Sequence, residues 1–411
     1  YHDLYLKLGE PELRDIVVIG AGFAGLWSSI SAAGSLDDLR EGDVRITVVN
    51  RDKWHGVRVR YYESDLTDAR IPLNGILDPI GVGLVVGEVE NIDHVGHVVS
   101  VRTLGGDSKL PYDRLILAAG SQLRHPNLPG FDRWTFNVDT YAEAVRLNAH
   151  LHDLGTRSPS AGRDHVVVVG AGLTGIEAAC EMPERLKKNG LPQGKVTLID
   201  ALPNIGSHMG DDARPVIEEA LSELDIRTRT SVSVKSFDHS GVVLVDGERI
   251  ETDTIIWAGG LQASNLTKEI PVNTDGLGRL SVDNYLRVSG TADIFAAGDI
   301  AAAPVEDGYV SVMSCQHSRP MGRFAGHNAV ADLAGYDMIP LEVSAYGTCL
   351  DLGPWGAVRT EGWERKVVKK GLDAKAIKIH INRDRIYPPR SQDRAEILES
   401  GRPEVQSPPP K

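Results

Sequence analysis

The chain is 411 residues long, 41% hydrophobic and 25% charged, with a formal net charge of −13, enough for two or three domains with ample core. That acidic balance excludes a general nucleic-acid binder, which needs clustered Lys and Arg against phosphate. No apolar run approaches the roughly 20 residues that span a bilayer, and Tyr1–Lys7 lacks the basic-then-apolar layout of a secretory signal.

In chain order, Asp15–Ile19 is a β-branched run that reads as a buried strand, and it enters Gly20-Ala21-Gly22-Phe23-Ala24-Gly25 ahead of a predicted helix. Each glycine of a G-x-G-x-x-G turn has a physical use. The first permits the tight turn, the second lets backbone approach a pyrophosphate, and the third lets helix and strand pack closely. Free N–H groups and the helix dipole then face the anion. The next strand, Arg45–Val49, ends in Asn50 and Arg51, an amide suited to a ribose and a cation suited to adenine or phosphate. Leu84–Val89 and His97–Arg102 alternate like a small antiparallel layer. Asp113–Gly120 reads as a buried parallel strand whose small end, Ala118-Ala119-Gly120, permits close approach of a ligand.

After a Pro- and Gly-rich crossover at Pro126–Gly130 the plan repeats. His165–Val169 enters Gly170-Ala171-Gly172-Leu173-Thr174-Gly175, and Lys195–Ile199 ends in Asp200. Val242–Gly247 marks a hairpin, and Thr254–Trp257 leads to Ala258-Gly259-Gly260. Repetition of a whole nucleotide-binding unit implies two dinucleotides in one polypeptide. Asp200 is expected to accept from an adenosine 2′-hydroxyl and to repel a 2′-phosphate, which favours NADH over NADPH. Ala292–Asp299 is another buried strand, now ending in an acid placed to bind a polyol such as ribitol, and a helix is predicted over Ser318–Leu333. Cys180, Cys315 and Cys349 are the only cysteines and form no C-x-x-C, so no local redox dithiol is expected. Cys180 reads as a buried structural residue; Cys315 and Cys349 are favoured as structural, with a redox role left open by their place beside segments expected near the flavin, and the scarcity of cysteine suits a reducing, cytoplasmic setting. No metal site is read from the sequence.

Val18–Gly25, Leu117–Gly120, Gly170–Glu177, Ile256–Gly260 and Asp293–Asp299, spread in order over nearly the whole chain, resemble the two-dinucleotide-binding-domain flavoproteins. Within them the chain is most similar to the type II NADH:quinone oxidoreductases, of the pyridine nucleotide-disulfide oxidoreductase superfamily without the redox disulfide. The resemblance implies FAD on the first turn, at Gly20, Gly22, Phe23, Ala24 and Gly25 with Asn50, Arg51, Val89, Ala119 and Gly120. Gly298 and Asp299 would close over the ribitol, with Gln316 beside the ring. NADH would take the second turn, at Gly170, Gly172, Leu173, Thr174 and Gly175 with Asp200 and Gly259, and Glu177 would hold the carboxamide end. His55, in the loop Trp54–Glu63, is expected as a hydrogen-bonded wall of the flavin site. The implied reaction passes a hydride from NADH to FAD and then two electrons to an acceptor, with the protein supplying positioning and electrostatics.

The resulting expectation is an α/β fold of two Rossmann-like three-layer nucleotide-binding domains plus a small C-terminal α+β region. The FAD domain, 1–130 and 269–335, is interrupted by the NADH domain, 131–268. The C-terminal region, 336–411, ends in a disordered tail, Gln406–Lys411.

The acceptor side departs from the family. Its Ala-Gln-x-Ala-x-Gln stretch here reads Cys315-Gln316-His317-Ser318-Arg319-Pro320. Gln316 keeps the first amide, whereas Pro320 removes a second that would hold a quinone carbonyl. His317 or Arg319 is left to supply a donor or charge, unless Arg319 caps or solvates the helix start. Trp363–Arg390 is rich in Lys and Arg, and Ile377, Ile379 and Ile381 alternate like a strand. That segment reads as a solvated face or a subunit contact. It leaves a homodimer open and allows at most peripheral contact with the inner face of a membrane. Three functions stay open: an NADH:quinone oxidoreductase, a soluble NAD(P)H-dependent reductase for a carrier protein or small metabolite, and an NADH-sensing flavoprotein with a switching role.

Overall fold

The computed structural model describes residues 13–405 except Asp307; Tyr1–Lys7 and the expected tail lie outside the described residues. The first sheet has seven strands, in the spatial order Ile294–Ala296, Arg114–Leu117, Arg14–Ile19, Val44–Asn50, Gly83–Asp93, Val98–Thr103 and Gly106–Pro111. The first four, and the start of the fifth, pair in parallel. Ile16 and Val18 on the central strand are fully buried, as a parallel strand covered on both faces requires. The last three strands form the antiparallel layer.

Two helices, Phe23–Leu39 and Cys315–Ala334, cross this sheet back to back. They approach so closely that a Cβ at Gly322 would lie 2.3 Å from the Ala24 carbonyl oxygen, and one at Gly326 2.1 Å from that of Ser28. Ser31 Oγ donates to the Arg323 carbonyl at 2.7 Å across the same seam. Small residues on both helices thus bring the start of the late helix to the first glycine turn. The late helix begins three residues earlier than the sequence suggested. Ser314 caps it, Oγ accepting from His317 N at 3.4 Å, and Pro320 falls inside the helix.

The second sheet is five parallel strands, Thr135–Phe136, Thr254–Trp257, His165–Val169, Lys195–Ile199 and Ile226–Arg229. An antiparallel layer, Val234–Asp238, Gly241–Leu244 and Arg249–Glu251, accompanies it. The chain leaves the first unit along Ser121–Leu123 and returns along Leu261–Ala263, and these two segments pair antiparallel.

The C-terminal module is an antiparallel sheet of Gly347–Asp351, Ala357–Glu361 and Lys366–Lys370, followed by the helix Gly371–His380 and a π-helical turn, Ile381–Arg385. The strand expected from Ile377, Ile379 and Ile381 is therefore corrected to helix. An alternating triplet also contains an i, i+4 pair: Ile377 is buried and Ile381 packs beside Ile386, whereas Ile379 is 51% exposed. Among the described residues no helix is long and apolar enough to cross a membrane, and no cluster of His, Cys, Asp and Glu could hold a metal.

Candidate dinucleotide sites and acceptor side

Both glycine turns open on one cleft of about 1650 Å³, larger than the roughly 300–1,000 Å³ of a single small-ligand pocket. The turns are built alike. Gly20 and Gly170 have φ of +96° and +106°, and a Cβ there would lie 2.5 Å from the Ala118 oxygen or 2.4 Å from that of Ala258. A Cβ at Gly25 or Gly175 would fall 1.7 or 1.8 Å from the carbonyl of its own first glycine. At Gly22 and Gly172 it would meet nothing within 4 Å. The first and third positions need glycine to close the turn, and the second faces empty cleft.

The helices that follow, Phe23–Leu39 and Leu173–Lys188, start at Gly22 and Gly172 with no side-chain cap and no acid in the first turn. Three helices elsewhere are capped, by Thr140, Ser314 and Asp393, and two uncapped ones, Gly210–Glu223 and Gly371–His380, carry acids in the first turn. The unclaimed N–H groups and the dipole at each cleft-facing end fit an anion, and two pyrophosphates match the two turns.

The strand-end residues stitch these turns. Asn50 Oδ1 accepts from Ala21 N at 3.0 Å, and Asp200 Oδ2 accepts from Ala171 N at 2.5 Å. Since only an acceptor is needed for this contact, Asn serves as well as Asp. Both side chains also line the cleft, as do Phe23, Ala24, Arg51, Val89, Ala119, Gly120, Leu173, Thr174 and Gly259. Gly298, at φ +80°, abuts Ala24, and Asp299 accepts from Ser121 Oγ at 2.6 Å and Ser318 Oγ at 3.3 Å. Arg58 lies 3.8 Å from Asp299 while pairing with Asp139. His55 is fully buried and bonds the Ala21 carbonyl through Nδ1 at 2.8 Å. Burial lowers its pKa to about 4, so it packs neutral against Phe23 and Trp27 behind the cleft lining, not as the wall expected of it.

The three side chains expected at the reacting centre are engaged away from the cleft wall. Gln316 Nε2 donates to the Ala345 carbonyl at 3.1 Å, and its Oε1 accepts from Gly347 N at 3.4 Å. His317 is buried and its Nδ1 accepts from Val312 N at 2.8 Å; burial lowers its pKa to about 4. Of the donor or charge expected from His317, burial opposes the charge, while Nδ1, accepting from Val312 N, leaves the ring proton on Nε2 as a donor. Glu177 Oε1 receives Lys378 Nζ at 2.8 Å and Asp351 N at 3.2 Å. Burial opposes the Lys378 charge, but Glu177 and its neighbours outweigh it and hold the ammonium above the ordinary lysine range.

Arg319 neither caps the helix nor lies in solvent. Its guanidinium sits 4.9 Å over Trp27, and burial lowers its pKa to about 10. Cys315 lines the cleft, Cys349 contacts the Ala374 carbonyl and Cys180 is buried. Burial pushes all three thiols up, against thiolate chemistry. Arg365, in the segment expected as a solvated face, lines the cleft instead. No pattern in its sequence neighbourhood signals this.

Glu181, one turn after Glu177, has its pKa raised to about 7 by burial and then by Asp351, with its side chain 18% exposed. Its folded pKa exceeds the unfolded value, so the proton is held more tightly in the native state and stability falls as pH rises from about 4.5 through 7. Glu181→Gln is therefore expected to stabilise the protein by about 3 kcal/mol at pH 8 and under about 1 kcal/mol at pH 5. Urea denaturation at the two pH values measures the difference.

A sequence profile described as pyridine nucleotide-disulphide oxidoreductase matches residues 14–322. An NADH dehydrogenase-like protein of Mycobacterium tuberculosis is 50% identical over 398 residues, covering 95% of this chain and 98% of that protein. The type II NADH:quinone oxidoreductase NdhA of the same species is 29% identical over 338 residues, covering 73% of this chain and 69% of that protein. The solved structure of NDH2 from Plasmodium falciparum in complex with NADH matches with a TM-score of 0.78 at 14% identity, over 96% of this chain and 100% of that one. The last is a likeness of fold.

Proposed function

This chain belongs to the pyridine nucleotide-disulphide oxidoreductase family, and from that premise we propose that it is an FAD-dependent NADH dehydrogenase that delivers electrons to a quinone-like acceptor. The observation that carries the reading is the pair of uncapped helix ends on one cleft, each with an open second glycine. FAD, when bound, would supply the hydride acceptor and the two-electron donor.

The chain's own part is to bind and orient. The first turn with Arg51 would hold the adenylate side of FAD, and Asp299, kept in place by Ser121 and Ser318, would accept from the ribitol. The second turn takes NADH, with Asp200 accepting from the adenosine 2′-hydroxyl. Glu177, bound by Lys378 and Asp351 behind the cleft wall, ties the helix of the second turn to the C-terminal module instead of touching the nicotinamide. The net reaction consumes NADH, a proton and the quinone and yields NAD⁺ and the quinol. The relatives' names support the quinone.

A soluble reductase for a carrier protein or small metabolite is the second reading. Pro320 and the engagement of Gln316 by Ala345 and Gly347 favour it. Steady-state NADH oxidation with a water-soluble quinone separates the two. Turnover as fast as flavin bleaching is expected, whereas fast bleaching without quinone turnover assigns another acceptor. In the same assay NADPH is expected to be at least about 100-fold less efficient than NADH, since a 2′-phosphate against Asp200 costs several kcal/mol. Equal efficiency of the two donors would remove that role from Asp200.

A further inference from the structure

We propose that the turn Glu361–Lys366 of the C-terminal module is a clasp on the pyridine dinucleotide, with Arg365 reaching into the cleft to bind its pyrophosphate. The inference rests on the second glycine turn being the NADH site.

Arg365 lines the cleft together with Gly172, Leu173, Thr174 and His208. Its placement relative to the turn runs through one intervening segment. The guanidinium lies 3.9 Å from Met209 Sδ, in the segment whose Gly206 N donates to the Ala171 carbonyl at 3.1 Å. Ala171 is the residue between the first two glycines. Arg365 thus opens on the same cleft as the uncapped start of the helix Leu173–Lys188, from beside Met209 and Gly210 in the segment that packs on the turn.

The side chain is pre-positioned. Nη1 donates to Thr348 Oγ1 at 2.6 Å, and the guanidinium sits 5.0 Å over the Tyr346 ring. Its backbone is held at φ +54°, a left-handed conformation costly for arginine. Arg365 N donates to the Gly362 carbonyl at 3.1 Å, and Gly362 N to that of Tyr346 at 2.8 Å, and these two bonds impose the turn. An aromatic stack anchors it to the first domain. Trp363 lies 4.4 Å from Tyr346 and 4.3 Å from Tyr309, and its indole N–H donates to Glu306.

What this arrangement lacks is an anion. Neighbouring cations are paired, Arg359 with Glu361 and Lys366 with Glu364, whereas among the described residues no carboxylate pairs with Arg365. A guanidinium fixed by neutral partners on the cleft that holds an uncapped helix N-terminus would complete a two-sided phosphate site. The helix supplies N–H groups on one side and the fork of Arg365 supplies charge on the other.

The test is calorimetric titration of ADP-ribose into the FAD-loaded full chain. Arg365→Ala is expected to weaken binding about 10- to 100-fold, the range of one charge-assisted hydrogen bond, with Arg365→Lys intermediate. The second measurement is anaerobic flavin bleaching by dihydronicotinamide riboside, a donor without phosphate. The Arg365→Ala to wild-type ratio is expected to stay near one with this donor while falling with NADH at low concentration. Unchanged ADP-ribose affinity in Arg365→Ala would overturn the clasp and leave the NADH site standing. An equal loss with the phosphate-free donor would also overturn it, because Arg365 would then act only by holding Met209 and Thr348. Failure of the wild-type protein to bind ADP-ribose would overturn the NADH reading itself, and the clasp with it.

Discussion

Gly172→Val is expected to leave the fold and the bound FAD intact while lowering the second-order rate of flavin reduction by NADH at least about 100-fold. Gly172 is extended, with φ −75° and ψ −176°, a conformation any residue adopts. A Cβ built there meets no atom within 4 Å, so the branched side chain enters space that belongs to the ligand. Displacing the pyrophosphate from the helix end forfeits its charge-assisted bonds, each worth about 1.5–3 kcal/mol, and the loss of two already exceeds a hundredfold. The same change at Gly22 is expected to empty the first turn of FAD. Gly175→Ala is expected to fail differently, since its methyl would lie 1.8 Å from the Gly170 oxygen and force helix and strand apart. Stopped-flow bleaching and the flavin absorbance of the purified variants measure these outcomes. Wild-type reduction kinetics in Gly172→Val would remove the dinucleotide from the second turn.

The turns were legible because their requirements are local: three glycines within six residues, between a β-branched strand and a helix, act through backbone they touch directly. Asp200 and Asn50 were legible as cleft residues, but not as acceptors for Ala171 N and Ala21 N, because a ribose contact and a turn contact ask for the same atom. The late helix was shortened because Ser314, its cap, precedes any periodic apolar residue. The C-terminal module was the least legible part. Ile377, Ile379 and Ile381 satisfy a strand period as well as a helix i, i+4 pair, and only packing against the sheet decides between them. Arg365 turns inward through one left-handed residue in a basic run, a property of backbone geometry rather than composition. Glu177 and Lys378 are 201 residues apart in sequence and meet only when the C-terminal helix docks.

Lys378→Met is expected to destabilise the protein by about 3–5 kcal/mol at pH 8, because it leaves the Glu177 carboxylate buried without its partner. The loss has a definite pH dependence. Burial already raises the Glu177 pKa, and Lys378 is the largest opposing influence; without it the carboxyl rises further. A carboxyl whose folded pKa lies above its unfolded value destabilises when ionised, so the deficit of the variant shrinks as pH falls and the folded protein takes up the proton. Urea denaturation is therefore expected to show a larger gap between variant and wild type at pH 8 than at pH 5. Glu177→Gln combined with Lys378→Met, which removes both charges, is expected to recover most of the stability. A gap independent of pH would mean that Glu177 is not ionised in the native protein. The pair matters beyond stability because it joins the helix of the second glycine turn to the module that carries Arg365. The single variant is accordingly expected to raise the dissociation constant for ADP-ribose as well, and the double variant to restore it if docking of the module is what the pair secures.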